Sequence, residues 1–88
     1  MSKKVWEILL DQNQETIREL VAVDNEMQSI SRRYNPTIWN NLNGRRIALL
    51  DDLNVEVMAA YASQPVKSVA RQGKDRFWDE VNKRIVEG

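Results

Sequence analysis

Residues 29–46 read SISRRYNPTIWNNLNGRR, and this stretch fixes how the chain is divided. Asn35-Pro36 is its punctuation. Proline lacks an N–H and holds φ near the helical value, so it suits the first position of a helix and disfavours helix in the residue before it. One helix must end before Asn35 and another begin at Pro36. Asn43-Gly44 is a second turn signal. Apolar spacing continues across it, however, which predicts an unbroken helix from Pro36 to about Ala62, with a break at Asn43-Gly44 as the alternative.

Upstream, Trp6, Leu10, Asn13, Ile17, Leu20, Asp24, Met27, Ser31 and Tyr34 alternate in steps of four and three. That is a heptad seam with polar residues in several positions. It predicts a first helix over about 2–33, with Ser2 as its N-cap. Asn13 and Asp24 read either as a widened solvent face or as register-setting polar contacts across a helical oligomer. Downstream of Pro36, the core row is Trp39, Leu42, Arg46, Leu49, Leu53 and Val57, with Ile38, Leu50 and Tyr61 alongside.

Ser63-Gln64-Pro65 ends the second helix. Val66, Val69, Ala70, Phe77, Trp78, Val81 and Ile85 predict a helical arm over about 65–86. Gly73 reads as a helix C-terminal residue, so the arm is expected either broken near 73 or continuous. No run of alternating β-branched residues predicts a strand. The expected fold is all-α: a long antiparallel helical hairpin with a shorter C-terminal helical arm. Two helices of these lengths extend about 40–45 Å. The arm is too short to cover them, so self-association, as a homodimer or higher homo-oligomer, is expected to complete the bundle.

The chain has 88 residues, 42% apolar and 30% charged, which fits one folded domain rather than a disordered segment. Net charge is zero but unevenly spread. Residues 1–30 carry three basic and six acidic groups, net −3. Residues 31–50 carry four basic and no acidic groups, net +4. Residues 51–62 carry only Asp51, Asp52 and Glu56, net −3, and residues 63–88 carry six basic and four acidic groups, net +2. A neutral chain makes a poor non-specific nucleic-acid binder.

The absence of cysteine and histidine removes thiolate chemistry, the commonest general base and the commonest transition-metal ligand. No cofactor is implied. The apolar run after Lys3 and Lys4 is short and broken by Glu7, so neither a signal peptide nor a membrane span is expected, and the cytoplasm is the default location. A small stand-alone chain of this kind suits a phage or mobile element.

Two clusters carry chemistry. Arg32, Arg33, Arg45 and Arg46 surround Tyr34 and Trp39, beside the positive end of a helix. Guanidinium groups grip carboxylates and phosphates, and aromatic faces stack. This is the candidate site for a partner protein or a small anionic ligand. The structural reading of the same residues is that Arg32 and Arg33 close a helix C-terminus, Tyr34 and Trp39 pack at the bundle end, and Arg45 and Arg46 pair with acids. The second cluster is Glu7, Asp11, Glu15 and Glu19, with Asp51, Asp52 and Glu56 on the next helix. Facing carboxylates can hold magnesium, as in all-α nucleotide pyrophosphohydrolases. The double-carboxylate arrangement of such enzymes is missing, which favours a solvated face. The expected function is therefore non-enzymatic: an adaptor, inhibitor or regulatory subunit. A magnesium-dependent nucleotide hydrolase and a nucleic-acid binder acting through the second helix are the alternatives.

Overall fold

The computed structural model describes residues 3–88 and contains only helices. They are α1 (Val5–Gln12), α2 (Gln14–Ser29), α3 (Pro36–Tyr61) and α4 (Lys67–Glu87). Ser2, expected as a cap, lies outside the described residues. Helix instead starts after Lys4, whose carbonyl accepts from the Glu7 and Ile8 N–H groups.

The expected single first helix is interrupted at Asn13. Its side-chain Nδ2 donates to the Leu9 carbonyl at 2.9 Å, alongside its own backbone N–H at 3.1 Å. An asparagine that bonds back four residues competes with the regular ladder. The distortion stays local, because Ile17 N–H still reaches the Asn13 carbonyl. Asn13 thus interrupts its own helix, and among the described residues its amide donates only to Leu9. Asp24, the other polar seam residue, accepts from Gln28 one turn on, at 2.7 Å.

The helix also ends earlier than the expected Arg33. Ser29 Oγ donates back to the Glu26 carbonyl, and Ile30 is extended at φ −111°, ψ 133°. Residues 32–34 form a turn, closed by the Asn35 N–H on the Ser31 carbonyl at 2.8 Å. Pro36 opens α3 as expected, although the Asn35 side chain makes no cap bond. Asn43-Gly44 does not interrupt α3.

Alternate core positions come from all four helices: Leu9 and Leu10; Ile17, Leu20 and Val23; Leu49, Leu53, Val57 and Tyr61; and Ala70, Phe77 and Val81. Among the described residues no polar or charged side chain is buried. Phe77 is fully enclosed, and Trp78 meets its ring edge-on, half-buried, with centroids 5.2 Å apart. α2 packs mostly on α3, and α4 mostly on α1 and α2.

α4 runs straight through Gly73, so the arm neither breaks there nor ends. The reason is tertiary. A β-carbon on Gly73 would lie 2.5 Å from Cζ of Tyr61, so the glycine is a notch that receives the buried Tyr61 ring. That burial pushes the Tyr61 phenol pKa above its ordinary value.

The molecule measures 49 × 22 × 19 Å. Its radius of gyration is 15.0 Å, against about 12 Å for a compact domain of this length. The elongation comes from one end. α4 finishes at Gly88, whose carbonyl accepts from Asn25 Nδ2 at 3.1 Å. Beyond that level α2 and α3 have mainly each other. No residue from 24 to 48 is buried. No helix among the described residues is long and apolar enough to cross a membrane.

Candidate binding surface

The sequence-predicted site residues all fall on this projecting tip. Arg32, Arg33 and Tyr34 lie on the turn between α2 and α3 rather than on a helix end. Trp39, Arg45 and Arg46 lie on the first half of α3. The turn brings Arg32 onto Trp39, its guanidinium carbon 4.6 Å from the ring centroid. A guanidinium attracted to an aromatic face still has N–H donors for a carboxylate or phosphate. Arg33 stands 5.8 Å from the Tyr34 ring in the same way, and the Tyr34 N–H meets Ser31 Oγ at 3.4 Å.

Tyr34 and Trp39 do not pack into the core. Tyr34 is 77% exposed, and Trp39 is half-buried, under Arg32. Ile38 is 51% exposed. The heptad phase that links these positions to the core continues beyond the level of Gly88, where among the described residues no third helix packs against α2 and α3.

The arginines divide into two kinds. Arg45 Nη2 reaches Glu19 Oε2 at 2.8 Å, an exposed ion pair between α3 and α2. Arg46 bonds Asn43 Oδ1, one turn back, at 3.0 and 3.3 Å. Among the described residues Arg32 and Arg33 make no ion pair. Residues 24–48 hold these four arginines against Asp24 and Glu26, net +2. The tip therefore presents positive charge, stacked rings and exposed aliphatic surface together.

The acidic residues of the first two helices are used singly. Asp11 pairs with Lys3 and Glu19 with Arg45. The hydrogen bond between Lys3 and Asp11, with the attraction of their charges, raises the Lys3 pKa and lowers the Asp11 pKa. Asp51, Asp52 and Glu56 are exposed on α3. Among the described residues no group of three or more acids is gathered around one point.

One feature at the opposite end escapes sequence reading. An open cleft of about 580 Å³ lies between Trp6, Tyr61, Gln64, Gly73 and Arg76. Arg76 stacks over Trp6 at 5.0 Å. The signal that could have found it is Gly73, read from the sequence as a helix C-terminal residue although it falls in phase with Ala70 and Phe77. Comparison with protein-family models, curated proteins and solved structures gives no match to this chain.

Proposed function

We propose that this chain is a non-enzymatic helical binding protein whose tip engages an acidic surface on a partner protein. One observation carries the reading: residues 24–48 hold Tyr34, Ile38, Trp39 and four arginines, yet none of them is buried. Aromatic and arginine side chains are the residue types that dominate interface energetics, while most exposed charge elsewhere contributes little. An acidic partner would meet the guanidinium edges of Arg32, Arg33 and Arg46, with Tyr34 and Trp39 supplying apolar contact.

In this reading the tip is the bend of a long antiparallel hairpin. The order of contacts supports it. Arg32 meets Trp39 close to the turn, and Glu19 meets Arg45 further from it, as in a chain that returns along itself. The same reading includes self-association of the hairpins into a larger helical core.

The test is capture of partners from the native host with the full chain, followed by titration of the purified partner. A triple variant, Arg32→Ala, Arg33→Ala and Trp39→Ala, should lose that partner while keeping its helical spectrum. A control, Lys67→Ala with Arg71→Ala, changes exposed basic residues of α4 and should bind normally. Affinity should also fall with added salt. A partner held equally by the triple variant refutes the proposal.

A further inference from the structure

α3 has two apolar faces. One carries Leu49, Leu53, Val57 and Tyr61 into the core. On the other, Gly44, Ala48, Asp51, Val55, Met58 and Ala62 recur in alternating steps of four and three. That is the spacing of a helix-pairing seam. All six are exposed, with Val55 at 66% and Met58 at 52%, and Ile47 beside them at 47%. A surface helix ordinarily presents polar residues there. Apart from its chain neighbours and its own helix backbone, no described atom lies within 4 Å of where a β-carbon of Gly44 would sit, so the face is open there.

From this we infer that a second copy of the chain lies antiparallel along the outer face of α3. The inference rests on the self-association proposed above and names its surface and direction.

Three properties select that occupant. The first is area. The chain exposes 6432 Å². A compact monomer of this mass exposes about 5,400 Å². The excess, about 1,000 Å², is the surface that an elongated fold leaves open, and self-association is one way to cover it.

The second is charge. Arg45 precedes the seam's centre, and Asp52 and Glu56 follow it on the same flank. A parallel two-fold copy would set Arg45 against the opposite flank, at Asn43 and Ile47, where no acid lies. An antiparallel copy, with its two-fold axis between Ala48 and Asp51, places each Arg45 between Asp52 and Glu56 of the second copy. Tip-on-tip pairing is disfavoured because it would bring two basic surfaces together.

The third is shape. The same register sets Gly44 against Val55 and Ala48 against Asp51 of the second copy. The small residues of one half of the seam thus meet the larger ones of the other half. Such pairing lets two helices approach closely.

The test uses the full chain. Sedimentation over a wide concentration range should show a reversible monomer–dimer equilibrium. Val55→Glu places an unpaired carboxylate in the seam and should weaken the dimer about a hundredfold or more, with an unchanged helical spectrum. The chain has no native cysteine, so Ala62→Cys can carry a single spin label. In the antiparallel register position 62 lies opposite position 37, which separates the two labels by roughly 37 Å. A dimer that survives Val55→Glu overturns this interface and leaves self-association standing. A separation near 10 Å, the spacing of adjacent helices, overturns the direction. A chain that stays monomeric throughout overturns both.

Discussion

Gly44 and Gly73 both lie inside long helices, and the same substitution at each should act in opposite directions. Gly→Ala in a helix interior gains about 0.8–1.0 kcal/mol from backbone entropy. At Gly44 no described atom beyond its chain neighbours and its own helix backbone lies within 4 Å of the new β-carbon, so the gain is unopposed. At Gly73 the β-carbon would sit 2.5 Å from Cζ and 2.6 Å from Cε1 of Tyr61, with the phenol oxygen nearer still. The ring must move, and Tyr61 is only 8% exposed. Overpacking of this kind costs about 1–3 kcal/mol. Gly73→Ala should thus range from near-neutral to about 2 kcal/mol destabilising. In a domain of this size, 1 kcal/mol moves Tm by about 4–8 °C, so the two variants should differ by roughly 5–20 °C. Thermal unfolding at dilute protein, where association contributes nothing, is the assay. Adding Tyr61→Leu to Gly73→Ala should recover part of the loss, because the double-mutant cycle isolates the contact. Should Gly73→Ala melt as high as Gly44→Ala, the Tyr61 ring does not rest on Gly73 and the packing of α4 on α3 is wrong.

Leu53 is fully buried where α3 meets α2, so Leu53→Ala should cost about 2–5 kcal/mol in chemical denaturation; a cost under about 0.5 kcal/mol would mean the α3 face is misassigned. Burial raises the Tyr61 pKa above its unfolded value, so this residue's contribution is complete below pH 10 and is lost as pH rises further. Wild type should therefore lose more stability than Tyr61→Phe between neutral and strongly alkaline pH, and equal losses would place the phenol in water. In the proposed dimer the two Asp51 carboxylates flank the two-fold axis, so Asp51→Asn should tighten association; weaker association of that variant would shift the axis elsewhere along α3.

Much of the fold was legible because local chemistry decides it. Pro36 can only start a helix, and α3 starts there. Leu20, Leu49, Leu53 and Val57 keep phase with their helices and are buried. The basic, aromatic cluster was visible as composition, because charge and residue type need no structure to be counted. Its exposure was not visible. Tyr34 and Trp39 continue the core phase, and only the stopping point of α4 at Asn25 leaves them outside.

Sequence by itself thus determined the helical class, the position of the turn before Pro36, the inward rows and the uneven charge. Those depend on the geometry of single residues and on spacings within one helix. Tertiary structure alone decided the rest. Gly73 reads as a terminus until Tyr61, twelve residues away, is seen to occupy the space above it. Asn13 reads as a polar position of the seam, with no sign of a helix interruption, until its amide is found bonded to Leu9. Both outcomes are set by which neighbour reaches a given space first. The outer face of α3 follows the same logic: its small and apolar residues around Asp51 are present in the sequence, but only the placement of α1, α2 and α4 shows that they stay exposed, with Lys74 of α4 reaching the Met58 sulfur at 3.9 Å.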